Sequence, residues 1–216
     1  MKHTAVKICG LTRPEDAEAV NAVRPDYAGF VFAESRRQVD AAAAALLRER
    51  LDPAIRTTGV FVNESPERIV ELCRRGIIGI IQLHGDEPEE TARHLREETG
   101  CPVVRAVRVQ NRDSLLAVQG YPCDAMLLDA WRNDSYGGGG VPFDWSLIGE
   151  GLPPFFLAGG LTPENVARAL DSCRTAGSLC GVDVSSGVES DGRKDPDKIH
   201  RFVSAVREWD RKEQLK

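Results

Sequence analysis

The sequence predicts an α/β fold: a single-domain (β/α)8 TIM barrel, compact and with few insertions, spanning residues 1–216. Three observations predict it. Eight short β-rich runs alternate with helical patterns along the whole chain. The runs are continuously apolar, as parallel strands buried on both faces are, with no strict polar–apolar alternation. The glycine-rich turns come last, after the seventh and eighth runs, where a barrel of this kind holds an anion. An open doubly wound sheet would instead carry G-x-G-x-x-G after its first strand. This chain reads Ile8-Cys9-Gly10-Leu11-Thr12 there.

The expected strands, in order, are Ala5–Ile8, Tyr27–Phe32, Thr58–Val62, Gly79–Leu83, Val103–Val107, Ala125–Leu128, Phe155–Ala158 and Gly181–Val184. Helices fall between them. Thr12-Arg13-Pro14-Glu15 reads as a capping box with a proline in the first turn. Asp40 followed by Ala41–Ala45 suits a helix by propensity. Ser65-Pro66 opens a helix in which Ile69, Leu72 and Cys73 share a face, and Arg112–Val118 amounts to little more than two turns. Thr162-Pro163 opens another, with Val166, Ala169 and Leu170 inward. In the last helix Ile199, Phe202, Val203 and Val206 follow the i, i+3, i+4, i+7 spacing of a buried stripe.

A chain of 216 residues can bury one sizeable core, and no Gly/Ser-rich, Pro-rich or single-charge stretch divides it. Its net charge of −5 argues against nucleic acid, which is bound by clustered Lys and Arg. No apolar run approaches a membrane span, and Met1-Lys2-His3-Thr4 leads straight into a strand-like run without the apolar stretch of a signal peptide. The expectation is a cytoplasmic monomer whose partner is a small molecule, with neither nucleic acid nor membrane involved. The six cysteines (Cys9, Cys73, Cys101, Cys123, Cys173 and Cys180) form no C-x-x-C and no zinc-like cluster, so no metal is expected. In a reducing compartment most should be packed thiols, Cys9 being the exception.

Two loops stand out. Gly159 and Gly160 follow the apolar run Phe155-Phe156-Leu157-Ala158, and Gly181-Val182-Asp183-Val184-Ser185-Ser186-Gly187 comes about twenty residues later. Without a Cβ, a glycine lets backbone N–H groups approach an anion, and Ser185 and Ser186 add hydroxyl donors. Paired near the end of the chain, they read as a phosphate site made of Gly159, Gly160, Asp183, Ser185, Ser186 and Gly187. Strand C-terminal ends face the site in such a barrel. Those ends supply Lys7 and Cys9, then Arg36 and Arg37, Asn63, Gln82 and His84, Arg105 and Arg108, and finally Asp129.

Read in order, Lys7-Ile8-Cys9-Gly10-Leu11-Thr12, Gly59-Val60-Phe61-Val62-Asn63, Gln82-Leu83-His84-Gly85 and Leu127-Leu128-Asp129 form a specific series. It continues with Tyr136 and the glycines at 137–140, Phe143-Asp144-Trp145, Leu157-Ala158-Gly159-Gly160-Leu161 and Val182 through Glu189. Together they resemble the phosphoribosylanthranilate isomerases of tryptophan biosynthesis, from the first strand to the eighth. The resemblance implies an Amadori rearrangement, in which an aminoaldose opens and becomes an aminoketose. An acid protonates the ring oxygen, and a base then takes the C2 proton that the imine acidifies. No metal or organic cofactor is implied.

By the same resemblance Cys9 is the base and Asp129 the acid. A nearby cation favours a thiolate, and Lys7, Arg36 and Arg37 are candidates for that charge. Arg37 matches the arginine that binds the anthranilate carboxylate, with Arg36 as second choice, because Ala33-Glu34-Ser35-Arg36-Arg37 is one residue shorter than the usual Pro-Lys-Ser-Pro-Arg-like stretch. On an extended loop Arg37 should turn into the mouth, away from Gly187, and Arg36 outward. Lys7, Gln82 and His84 are supporting residues, His84 packing or holding a neighbouring site residue in place and not itself catalytic. The glycines at 137–140 read as a lid, with Val141 where many relatives carry a basic residue. The similar barrel that acts on a histidine precursor uses paired aspartates where this chain has Cys9. A silent phosphosugar-binding barrel would have lost Cys9 or Asp129. An indole-glycerol-phosphate synthase would need strand-end lysine and glutamate catalysis.

Overall fold

A computed structural model of the chain describes residues 3–118, 120–131, 142–176 and 178–215. The expected lid, including the glycines at 137–140 and Val141, lies outside the described residues. Eight parallel strands close into a barrel in chain order: β1 (Ala5–Cys9), β2 (Tyr27–Val31), β3 (Arg56–Phe61), β4 (Ile80–Leu83), β5 (Val103–Val109), β6 (Ala125–Ala130), β7 (Phe155–Leu157) and β8 (Leu179–Val184). The first strand pairs with both β2 and β8, which closes the ring.

Helices α1 (Pro14–Val23), α2 (Ala41–Arg50), α3 (Pro66–Arg74), α4 (Glu89–Thr99), α5 (Arg112–Leu116) and α6 (Val166–Ser172) connect the strands, and α7 (Pro196–Gln214) ends the chain. A two-residue hairpin, β9 (Glu189–Ser190) with β10 (Arg193–Lys194), stands between β8 and α7. Asp40 and Ser65 cap α2 and α3 through their side chains. The start of α1 differs from the expected box. Arg13 is its N-cap, and it is Asp16, buried, that gathers the Thr12 N–H at 2.9 Å, the Thr12 hydroxyl at 3.2 Å and the Arg13 N–H at 3.1 Å.

Strand alternation divides the core in two. Val6, Ile8, Phe30, Phe61, Leu83, Leu128 and Phe155 point outward and pack under the helices. Fully burying each aromatic ring there contributes about 1.5–3 kcal/mol. Inward, a much smaller apolar cluster of Ala106, Leu127 and Ala158 is edged by Val104 and Phe156. The remaining buried inward positions include Lys7, Gln82, Asp129 and Asp183. A barrel interior that spends buried positions on charge is organised around a site.

The last helix is tied to the first strand. Asp210 accepts the Thr4 hydroxyl at 2.6 Å, and Arg207 bonds the Thr4 carbonyl at 2.6 Å and Asp26 at 3.1 Å. Asp26 in turn accepts the Val6 N–H at 2.8 Å. The barrel is thereby latched at its N-terminal end, opposite the strand ends that carry the candidate residues.

Candidate active site

Lys7 and Cys9 share the inward face of β1. The Lys7 ammonium donates to Asp183 on β8 at 2.8 Å, both groups being buried. Burial alone would pull Lys7 down, but Asp183 and Cys9 hold it above the ordinary lysine value. Cys9 moves the other way from the expected activation. Burial pushes its thiol above the usual value and Asp183 adds to the rise, while Lys7 and Lys194 oppose it. Asp183, expected among the phosphate ligands, is therefore the anchor of Lys7. A carboxylate has no donor to offer an anion.

Cys9 stands opposite Gly29 of β2, where any Cβ would come within 2.8 Å of its Sγ. Gly10, at φ +80°, turns the chain directly after the thiol, and a Cβ there would meet the Arg37 side chain at 2.5 Å. Gly29 keeps the space beside the sulfur open, and Gly10 makes room for Arg37.

On the far side of the barrel Asp129 is also buried. Its Oδ1 accepts the Ala130 N–H at 2.8 Å and its Oδ2 faces His84 Nε2 at 3.5 Å. The Gln82 amide meets His84 Nδ1 at 3.2 Å. His84 Nε2 is buried beside the Asp129 carboxylate and has no hydrogen-bond partner among the described residues. His84 thus stands between Gln82, which it bonds, and Asp129, which it faces. Gly159, at φ +77°, makes room for this corner: its Cβ would lie 2.4 Å from the Ala130 nitrogen and 2.9 Å from Asp129 Oδ1.

The two glycine loops meet. A Cβ on Gly187 would fall 1.8 Å from the Leu161 carbonyl, so the loop after β8 lies directly on the loop after β7. A single 3-10 turn, Ser186–Val188, follows β8 directly after Ser185. The Ser185 hydroxyl donates to the Cys9 carbonyl at 3.0 Å, tying this loop to the thiol strand.

The arginine loop is arranged differently from the expectation. Arg37 binds Glu189 through Nε at 2.6 Å and Nη2 at 2.9 Å, and Arg36 reaches the same carboxylate at 2.8 Å. The two side chains do not diverge, and Arg37 lies beside the segment that follows Gly187. The reason is electrostatic: Glu189, almost fully buried, draws both cations. Arg37 is nevertheless the inner one, 17% exposed against 59% for Arg36. Two other strand-end residues turn away from the mouth. Arg105 falls on the outer face of β5, on Glu87 at 2.7 Å and over the Tyr121 ring, and Asn63 bonds the loop after β4. Arg108, opposite Asp129 in the ladder, bonds Asp86 at 3.0 Å.

Sequence reasoning gave no role to Glu189 and missed Lys194. Burial alone would push the Glu189 carboxyl up, but Arg37 and Lys194 hold it below the usual carboxylate range. Lys194 bonds Glu189 at 2.8 Å and the Ser185 carbonyl at 3.0 Å, and burial lowers it despite that partner. A signal was available. Asp191-Gly192, both at positive φ, is a two-residue hairpin turn that sets Lys194 opposite Glu189.

A family model described as N-(5'phosphoribosyl)anthranilate (PRA) isomerase matches residues 6–205. The chain belongs to the phosphoribosylanthranilate isomerase family. It is 46% identical to the N-(5'-phosphoribosyl)anthranilate isomerase of Acetivibrio thermocellus, over 96% of this chain and 97% of that one. Among solved structures it resembles the phosphoribosylanthranilate isomerase of Thermotoga maritima with a TM-score of 0.84 and 37% identity, covering 95% of this chain and all 100% of the other. A second structure from that organism, in complex with reduced 1-(o-carboxyphenylamino)-1-deoxyribulose 5-phosphate, matches over the same 95% at a TM-score of 0.81 and 36% identity, covering 100% of that chain. Membership in this isomerase family agrees with the motif series, and the fold agrees with the barrel read from the strand runs.

Proposed function

We propose that this chain isomerises N-(5-phosphoribosyl)anthranilate to 1-(2-carboxyphenylamino)-1-deoxyribulose 5-phosphate, the third step of tryptophan synthesis from chorismate. The observation that carries the reading is the placement of Cys9 and Asp129. They are buried inward groups at the C-terminal ends of β1 and β6, one supported by Lys7 and the other by His84.

Asp129 gives its proton to the ribose ring oxygen as the C1–O bond breaks, leaving an open-chain protonated imine. The thiolate of Cys9 takes the proton from C2, and the electron pair moves into a C1–C2 double bond. Tautomerisation of this enaminol puts a proton on C1 and removes the one on the C2 hydroxyl, giving the ketone. No atoms are gained or lost. Lys7 offsets the charge on Cys9 while the thiolate exists.

The phosphate is read into the meeting point of the loops after β7 and β8, with Gly160, Ser186 and Gly187 as its main donors. Ser185 contributes its backbone, because its hydroxyl is engaged with the Cys9 carbonyl. Gly159 shapes the Asp129 corner. Arg37 is read as the carboxylate ligand. A phosphosugar that brings an aromatic carboxylate meets both anion sites at once. Among the described residues no helix is long and apolar enough to cross a membrane, and we read the protein as a cytoplasmic monomer.

The test is direct. Phosphoribosylanthranilate made in situ loses its fluorescence on isomerisation, so the purified chain should quench it catalytically. A chain that binds the product but never turns over would leave the phosphosugar-binding reading instead.

A further inference from the structure

Arg37 and Glu189 raise a question that the proposed reaction leaves open. The arginine read as the clamp for the substrate's carboxylate already holds a carboxylate of the protein itself. Guanidinium offers five N–H donors along two edges that can each grip a carboxylate. Glu189 occupies the edge formed by Nε and Nη2, at 2.6 and 2.9 Å. The edge formed by Nη1 and the far side of Nη2 has no partner among the described residues. That edge therefore has donors for a second planar carboxylate while Glu189 keeps the first.

Glu189 is fixed from behind. Lys194 binds it at 2.8 Å, and the same ammonium bonds the Ser185 carbonyl at 3.0 Å and the Ser185 hydroxyl at 3.3 Å. Lys198 donates to the Glu189 backbone carbonyl at 2.7 Å. The hairpin that carries both Glu189 and Lys194 follows directly on the Ser186–Val188 turn of the phosphate loop. A continuous chain of bonds thus runs from the phosphate loop through Ser185, Lys194 and Glu189 to Arg37.

We propose that Glu189 is a positioning residue for the substrate's carboxylate: it grips one edge of Arg37, turns the other toward the anthranilate ring, and with Lys194 fixes the distance between the carboxylate clamp and the phosphate loop. The inference rests on the reading of Arg37 as the carboxylate ligand. It is opposed to a second role for the same contact, in which Glu189 is a decoy that the substrate must expel. The two differ in sign. Removing a positioning group weakens substrate binding, whereas removing a decoy strengthens it.

The experiment compares two substrates, N-(5-phosphoribosyl)anthranilate and N-(5-phosphoribosyl)aniline, which lacks the carboxylate. For Glu189→Gln the expected result is a KM raised about tenfold on the first, as when a charged hydrogen bond is lost, with kcat changed far less. On the aniline substrate, which shares the phosphate but not the carboxylate, the rise should be much smaller. Glu189→Asp keeps the charge on a shorter stem and should show the same selectivity with a smaller rise, which covers the case of a glutamine variant that does not fold. A lowered KM overturns the proposal in favour of the decoy. An equal rise on both substrates overturns it in favour of a role in folding alone. Arg37→Ala separates the layers. If its penalty is equal on both substrates, the reading of Arg37 fails and the proposal with it. If its penalty depends on the carboxylate and that of Glu189→Gln does not, the proposal alone fails.

Discussion

Lys7 Nζ stands 2.8 Å from Asp183 Oδ1 in the barrel interior, with Cys9 two residues further along the same face of β1. The pair sets the electrostatics of the thiol. Lys7→Met would leave Asp183 buried without its partner, which should cost about 3–5 kcal/mol of stability. It would also remove a cation that opposes the burial of the thiolate, so turnover should fall. Adding Asp183→Asn should restore most of the stability and little of the turnover. Urea denaturation and steady-state kinetics read the two effects separately, and a double variant with normal turnover would remove Lys7 from the chemistry.

The pH profile has a definite sign. In the proposed reaction the active form of Cys9 is the thiolate, and burial raises this thiol above its ordinary value. The thiolate fraction therefore grows about tenfold per pH unit through neutrality, and it continues to grow past the ordinary thiol pKa near 8.5. The rate of Cys9 alkylation, read at this residue by mass spectrometry, follows the thiolate alone and not the proton on Asp129, so it should climb across this range. A plateau reached well below pH 8 would mean a much lower thiol value.

Asp129→Asn retains the shape of the side chain and removes its transferable proton. The turnover number should fall by orders of magnitude with little change in KM. If KM alone rises, Asp129 binds substrate and the acid lies elsewhere.

Most of the fold was legible because the apolar runs mark the strands, and the errors cluster where polar residues interrupt them. The run from Thr58 gave no hint that β3 starts at Arg56, and the run ending at Leu128 stopped short of Asp129 and Ala130. Ladder pairing recruits those residues: Arg56 lies opposite Tyr27, and Asp129 opposite Arg108. Strand ends that carry site residues are thus the hardest to read from hydrophobicity alone. Cys9, Asp129, Lys7, Gln82 and His84 could be placed on the inner wall and at the strand ends because motif and strand position coincide. Glu189 and Lys194 are joined by a hairpin turn and not by an apolar run. Arg105 was misassigned because one residue along a strand reverses the face.

In the proposed reaction the thiolate of Cys9 removes the C2 proton. The turnover of Cys9→Ser on phosphoribosylanthranilate decides this step, read alongside its circular dichroism spectrum and its affinity for the product. A serine hydroxyl is a far weaker base, so turnover should drop by about a thousandfold or more while fold and product binding stay near those of the wild type. Near-normal turnover in that variant would contradict the account.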